Sequence, residues 1–116
     1  MVDLLQGVDS PECDQLKQYL RNGQAVMAPA TLTELLSDPS RTGDMQHVLK
    51  EFRLLALTEG YWERAGVLRA KVRRAGRKAA LGDALIAQAC IDANVALLTR
   101  DADFAAYVKI GGLKLA

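Results

Sequence analysis

The chain has 116 residues, half of them apolar, and 15 Lys and Arg against 14 Asp and Glu, a net charge of +1. That length fits one domain with a buried core and a single site, and the near-neutral charge excludes a global field drawing the molecule onto nucleic acid or lipid. No uncharged run reaches the roughly 18 residues of a membrane span, and no basic region with an apolar core follows Met1, so the expectation is a soluble, cytoplasmic chain without a membrane partner.

In chain order, MVDLLQG reads as the last turn of a helix, with Gly7 as its stop. Ser10 and Pro11 open the next helix, Cys13, Leu16 and Leu20 form its apolar stripe, and Gly23 ends it. Cys13 and Cys90 are far apart and match no C-x-x-C spacing, which fits reduced thiols and argues against zinc. Ala25 to Ala28 is a short apolar strand closed by Pro29, and Thr31 to Ser37 is a helix. A loop with Asp38, Pro39, Ser40 and Gly43 follows. Met45, Val48, Leu49 and Phe52 recur at helical spacing before an apolar strand at Leu54 to Leu57. Thr58 is the expected cap of the longest helix, whose stripe is Tyr61, Ala65, Leu68 and Val72 and whose stop is Gly76. The segment LGDALIAQACIDANVALLTRDADF gives a helix from Leu81 and a strand from Val95 to Thr99. A helical turn at Ala105 to Val108 leads through Gly111 and Gly112 to a final strand, Leu113 to Leu115.

Continuously apolar strands alternating with helices give an α/β fold with a mainly parallel sheet covered on both faces. Ligands bind such sheets beyond the carboxyl ends of the strands, so the residues just after the strands carry the functional question. Asp83 opens a helix and Asp101 follows a strand running antiparallel to it, which brings the two carboxylates to the same end of the sheet. Taken singly, Glu34 fits a capping box with Thr31, Asp83 a helix cap, and Asp101 and Asp103 turn positions. Together they would repel one another without a cation. Carboxylates without His or Cys partners select Mg2+ or Mn2+, whose chemistry suits phosphodiester hydrolysis. Arg69, Lys71, Arg73, Arg74, Arg77 and Lys78 lie just before Asp83 and read either as a substrate guide or as a solvated helix end. His47 has no nucleophile nearby and reads as a surface residue, while Tyr61 and Trp62 read as core or edge packing.

The order and spacing of APATLTELLSD, LLALTEGYWERAGVLRAKVRRAG, LGDALIAQACIDANVALLTRDADF and GGLKL resemble the PIN-domain ribonucleases, most closely the VapC-like toxins of bacterial toxin–antitoxin pairs. The resemblance covers nearly the whole chain. It implies an α/β/α sandwich, a divalent metal, endonucleolytic cleavage of RNA, a homodimer and an antitoxin partner. Carried over by position, Glu34, Asp83 and Asp101 match the metal-site acids, with Asp103 as a supporting ligand, and Arg74, Arg77 and Lys78 would contact RNA. One departure stands out: similar proteins begin with a central apolar strand ending in Asp, and no such strand is evident before the MVDLLQG helix end; the alternative alignment makes Val2-Asp3 the remnant of that strand, but Leu4 and Leu5 fit the helix end better. The expectation is therefore a single PIN-like domain over residues 1–116, truncated at its N-terminus and lacking the first of four acids. An impaired module that binds RNA or an antitoxin without cleaving is the alternative.

Overall fold

A computed structural model describes residues 3–6, 26–39, 43–99 and 101–116. The helix expected from Ser10 to Gly23, with Cys13 in it, lies outside these residues.

The described elements are β1 (Asp3–Gln6), β2 (Val26–Met27), α1 (Pro29–Leu36), α2 (Gly43–Lys50), β3 (Arg53–Leu54), α3 (Tyr61–Arg74), α4 (Leu81–Ala93), β4 (Ala96–Thr99), a single 3-10 turn (Ala102–Phe104) and α5 (Ala105–Gly111). All strand pairing is parallel: β1 with β4, β2 with β3, and a bridge from Leu97 to Leu115 on the other side of β4. This is the expected α/β class.

The N-terminal segment corrects the sequence reading. Asp3–Gln6 is a strand, not a helix end, and its partners run from Asp3 opposite Ala96 to Gln6 opposite Thr99. It also lies against β2, so the central position expected to be vacant is filled. The physical reason is tertiary: β4 needs a partner for its ladder, and four residues including Leu4 and Leu5 satisfy it whatever their local preference.

Two helix starts also differ. Helix α1 begins at Pro29, where the missing N–H costs nothing, with Ala28 as its cap. Thr31 is therefore inside the helix, and the capping box expected with Glu34 does not form. Helix α3 starts at Tyr61 behind Gly60, whose φ of 82° turns the chain, so Thr58 is not its cap. Strand β3 is Arg53–Leu54, short of the expected Leu54 to Leu57; Leu55 still donates its N–H to the Met27 carbonyl at 2.9 Å. The final segment is a one-residue bridge rather than a strand.

The periodic stripe of α3 holds as read: Tyr61, Ala65, Leu68 and Val72 are buried. Tyr61, Leu68 and Val72 pack with Ala84, Ile86, Ala87 and Cys90 of α4, and with Met27, Leu49, Phe52, Leu97, Phe104 and Tyr107, in one core. Cys90 is fully buried and its thiol is pushed up to about 12 by that burial, which leaves it inert.

Candidate metal centre

Three elements deliver the acids. Helix α4 is capped at Ala80, so Asp83 is its third residue and not the cap, held in the first turn where the helix dipole favours a carboxylate. Strand β4 ends at Thr99, whose Oγ1 accepts the Asp101 N–H at 3.0 Å. Asp101 then caps the 3-10 turn, its Oδ1 accepting the Asp103 N–H at 2.8 Å. These two local bonds fix both acids of the D-x-D segment relative to the strand end. Carboxylate oxygens of Asp83, Asp101 and Asp103 lie within 4.8 Å of one another.

Glu34 reaches the same place from α1. A methyl group built on Gly82 would collide with Glu34 Oε1, so the glutamate carboxyl lies on the bare backbone of α4 beside Asp83. Gly is disfavoured in a helix by about 1 kcal/mol relative to Ala, and its presence next to Asp83 is the sequence signal for this approach. The spacing argument did not single it out.

Electrostatics bind the four groups into one site. Asp83 is raised to about 6 by burial first, then by the charges of Asp101, Glu34 and Asp103, with Lys78 opposing them. Lys78 Nζ stands 3.8 Å from Asp103 Oδ2, but 80% of its side chain is exposed, so it screens the cluster only weakly. A second residue missed by sequence reasoning is Tyr107 of α5. It is fully buried, and its hydroxyl has no hydrogen-bond partner among the described residues. Burial and the nearby charge of Asp83 push it to about 12, with Arg69 opposing and Asp103 adding. A neutral donor thus stands behind the acids.

The donor set fits a hard divalent cation: carboxylate oxygens only, converging from three elements and mutually repelling. Asp83, Asp101 and Asp103 are close enough together to hold it, and Glu34, expected as a direct ligand, lies beside them on Gly82 and outside that set. The basic residues divide. Arg69 is committed to structure, its Nε donating to the Ala79 carbonyl at 2.9 Å, whereas Lys71, Arg73, Arg74, Arg77 and Lys78 are exposed and Lys78 stands beside the acids. His47 is exposed on α2 as expected, and Tyr61 is core. Trp62 is not packing inside: it is 64% exposed.

Among the described residues, β1 brings no fourth acid to the site. Gln6 sits opposite Thr99 at the end of the strand nearest the cluster, while Asp3 is opposite Ala96 at the far end. Asp3 therefore does not supply the acid expected after the first strand.

The sequence matches the PIN domain family over residues 1–110. No curated protein matches it. Among solved structures, it is similar to VapBC-5 of the VapBC family of toxin–antitoxin systems from Mycobacterium tuberculosis, at 20% identity and a TM-score of 0.69, covering 98% of this chain and 95% of that one. It is similar to VapBC2 from Rickettsia felis, bound to a DNA fragment from its promoter, at 20% identity and 0.68, covering 100% and 98%. DNA-bound VapBC from Salmonella typhimurium gives 16% identity and 0.69, again over 100% and 98%. With its strand-end acids, parallel pairing and a family match running almost end to end, the chain belongs to the PIN-domain family.

Proposed function

We propose that this chain is a Mg2+- or Mn2+-dependent endoribonuclease, the toxin of a toxin–antitoxin pair in the cytoplasm, acting as a homodimer and silenced by a cognate antitoxin. The observation that carries the nuclease reading is the convergence of Asp83, Asp101, Asp103 and Glu34 on the first turn of α4. Kinship to the PIN domain and likeness to VapBC complexes support the antitoxin partner.

A bound divalent cation supplies an activated water and offsets charge developing on the phosphate. The chain's own residues do the rest. Asp83, Asp101 and Glu34 would hold the cation, with Asp101 kept in place by the Thr99 hydroxyl and by the Asp103 amide. Asp103 supports the site as a further carboxylate. Lys78, Arg77 and Arg74 draw phosphates toward the acids and offset like charge as the substrate arrives. The test is direct: purified chain cuts RNA only with Mg2+ or Mn2+, and Asp83→Asn abolishes that cleavage. Equal cleavage by wild type and variant sinks the reading.

A second reading has its own observation. Gln6, not a carboxylate, ends β1 opposite Thr99, so among the described residues β1 brings no acid to the site, which favours a module that binds RNA or antitoxin without cleaving. Tight partner binding with no measurable Mn2+ affinity by calorimetry selects this reading over the first.

A further inference from the structure

A cavity of about 350 Å³ opens directly beside the acids. Its walls include Pro29, Leu57, Trp62, Leu81 and Leu85, and its inner end is Glu34 on Gly82. Glu34 is thus shared between the cavity and the acidic cluster. We infer that this cavity receives one unpaired nucleobase of a single-stranded RNA, with Trp62 as its stacking surface, and so sets where the strand lies across the acids. The inference rests on the nuclease reading above.

Three observations point to a base. The first is order along the surface. Lys78 contacts Asp103, Asp103 is bonded to Asp101, Asp101 faces Asp83, and Gly82 carries Glu34 into the cavity. A cation, the acids and the apolar cavity therefore follow one another. A single strand presents phosphates and flat bases in turn, so a phosphate on Lys78 leaves the scissile group at the acids and a neighbouring base at the cavity.

The second is that Trp62 is prepared as a platform. Its ring meets that of Tyr61 edge to face, with centroids 5.0 Å apart and planes at 76°. Tyr61 is itself buried, and its hydroxyl donates to the Leu85 carbonyl at 2.6 Å. A ring held by a pinned neighbour while 64% exposed is available to stack on something from outside. Leu81, 59% exposed in the first turn of α4, forms a second apolar wall on the same side.

The third is position relative to the helix stripe. Tyr61, Ala65, Leu68 and Val72 already fill the core face of α3, so Trp62 contributes nothing to that face. An exposed Trp on the polar side of a helix, next to a hydrolytic centre, has recognition as its available use. RNA endonucleases that read single strands splay bases onto aromatic faces, and a single such ring suffices for one base.

Trp62 is the chain's one tryptophan, so its fluorescence reports on the cavity alone. The full chain is titrated in EDTA, where no cleavage occurs, with a ten-nucleotide single-stranded oligoadenylate, an RNA duplex, and an abasic ribose-phosphate strand of the same length. The expected result is quenching by the single strand but not by the duplex or the abasic strand. Read by the anisotropy of a fluorescein-labelled oligoadenylate, because the variants lack the tryptophan, Trp62→Ala should weaken binding by about 5- to 150-fold, with Trp62→Phe recovering most of it. Equal quenching by the abasic strand, or unchanged affinity in Trp62→Ala, overturns the base site. So does quenching by an amphipathic helical peptide where the oligonucleotide gives none, which would assign the cavity to a protein partner. The two readings fail separately. Metal-dependent cleavage by a chain whose Trp62 stays silent removes only the base site, and base-dependent quenching without any metal-dependent cleavage upholds the base site while removing the nuclease.

Discussion

Asp83 makes the metal-free chain sensitive to pH in a direction opposite to most carboxylates. Its folded-state value of about 6 lies above its ordinary 3.8, because burial and the charges of Asp101, Glu34 and Asp103 disfavour ionisation. A group that holds its proton more tightly in the folded state contributes stability fully present below about pH 4 and lost as pH rises through about 6. In EDTA, Asp83→Asn should therefore melt several degrees higher than wild type at pH 7.5 and at the same temperature near pH 4, as read by calorimetry. An equal difference at both values would mean that charge repulsion is not the cause. With Mg2+ present the order should reverse at pH 7.5, because only the carboxylate gains from the ion, and the ion's hold on wild type should weaken below about pH 6. Gly82→Ala tests the other half of the site. An alanine favours the helix by up to about 1 kcal/mol, yet its methyl group displaces Glu34. The expected outcome is an unchanged or higher melting temperature together with a roughly tenfold loss of Mn2+ affinity by calorimetry. A loss of both would point to general disruption instead.

Between elements, the tie that positions α4 against α3 is Arg64. Its Nη2 and Nε donate to the two oxygens of Asp92 at 2.7 and 3.2 Å, while Nη1 reaches the Glu59 carbonyl and Nη2 also reaches Thr58. Gln88 adds a donor to the same carboxylate at 2.8 Å. Asp92 is the less exposed partner, with 14% of its side chain accessible, and the Arg64 hydrogen bond holds it below the usual carboxylate range. Truncating Arg64 to Ala strands that charge against Gln88 and should lower the urea midpoint of unfolding at pH 7. Lys at the same position should recover little, since it cannot make the forked contact. The difference between wild type and Arg64→Ala should vanish as acid protonates Asp92, the sign expected for a lowered carboxylate. Much of this level was legible in the chain. Helix α3 announced itself through the spacing of Tyr61, Ala65, Leu68 and Val72, and the antiparallel run of α4 and β4 placed Asp83 beside Asp101, because both follow from periodicity and direction. What escaped were facts set between distant segments. MVDLLQG has no period long enough to tell strand from helix, and only the open side of β4 decides it. Likewise the approach of Glu34 to Gly82, and the orphan hydroxyl of Tyr107, depend on how three elements meet, which no local pattern records.

For the molecule as a whole, charge is arranged instead of accumulated. A net charge of +1 gives no long-range pull on RNA, so the salt dependence of binding must come from the few cations beside the acids. Arg69 is occupied by the Ala79 carbonyl, Lys78 stands beside the cluster, and Arg74 and Arg77 are exposed shortly before it in the chain. Each phosphate neutralised on a single strand contributes about 0.7 to the slope of log affinity against log salt. Replacing all three by Ser should therefore lower the slope by about 2 for a single-stranded RNA in EDTA. Mn2+ affinity should not fall, because none of the three is a ligand; removing Lys78 takes away a charge that opposes cation binding and offsets the acids. This pattern separates two roles that the sequence left at even weight. A slope that stays at its wild-type value after the triple replacement would make these residues a solvated helix end, favoured only by the dipole of α3. A slope that falls while metal binding holds would make the last turn of α3 and the loop after it the entry for phosphate, leading into acids fixed by α4 and the end of β4.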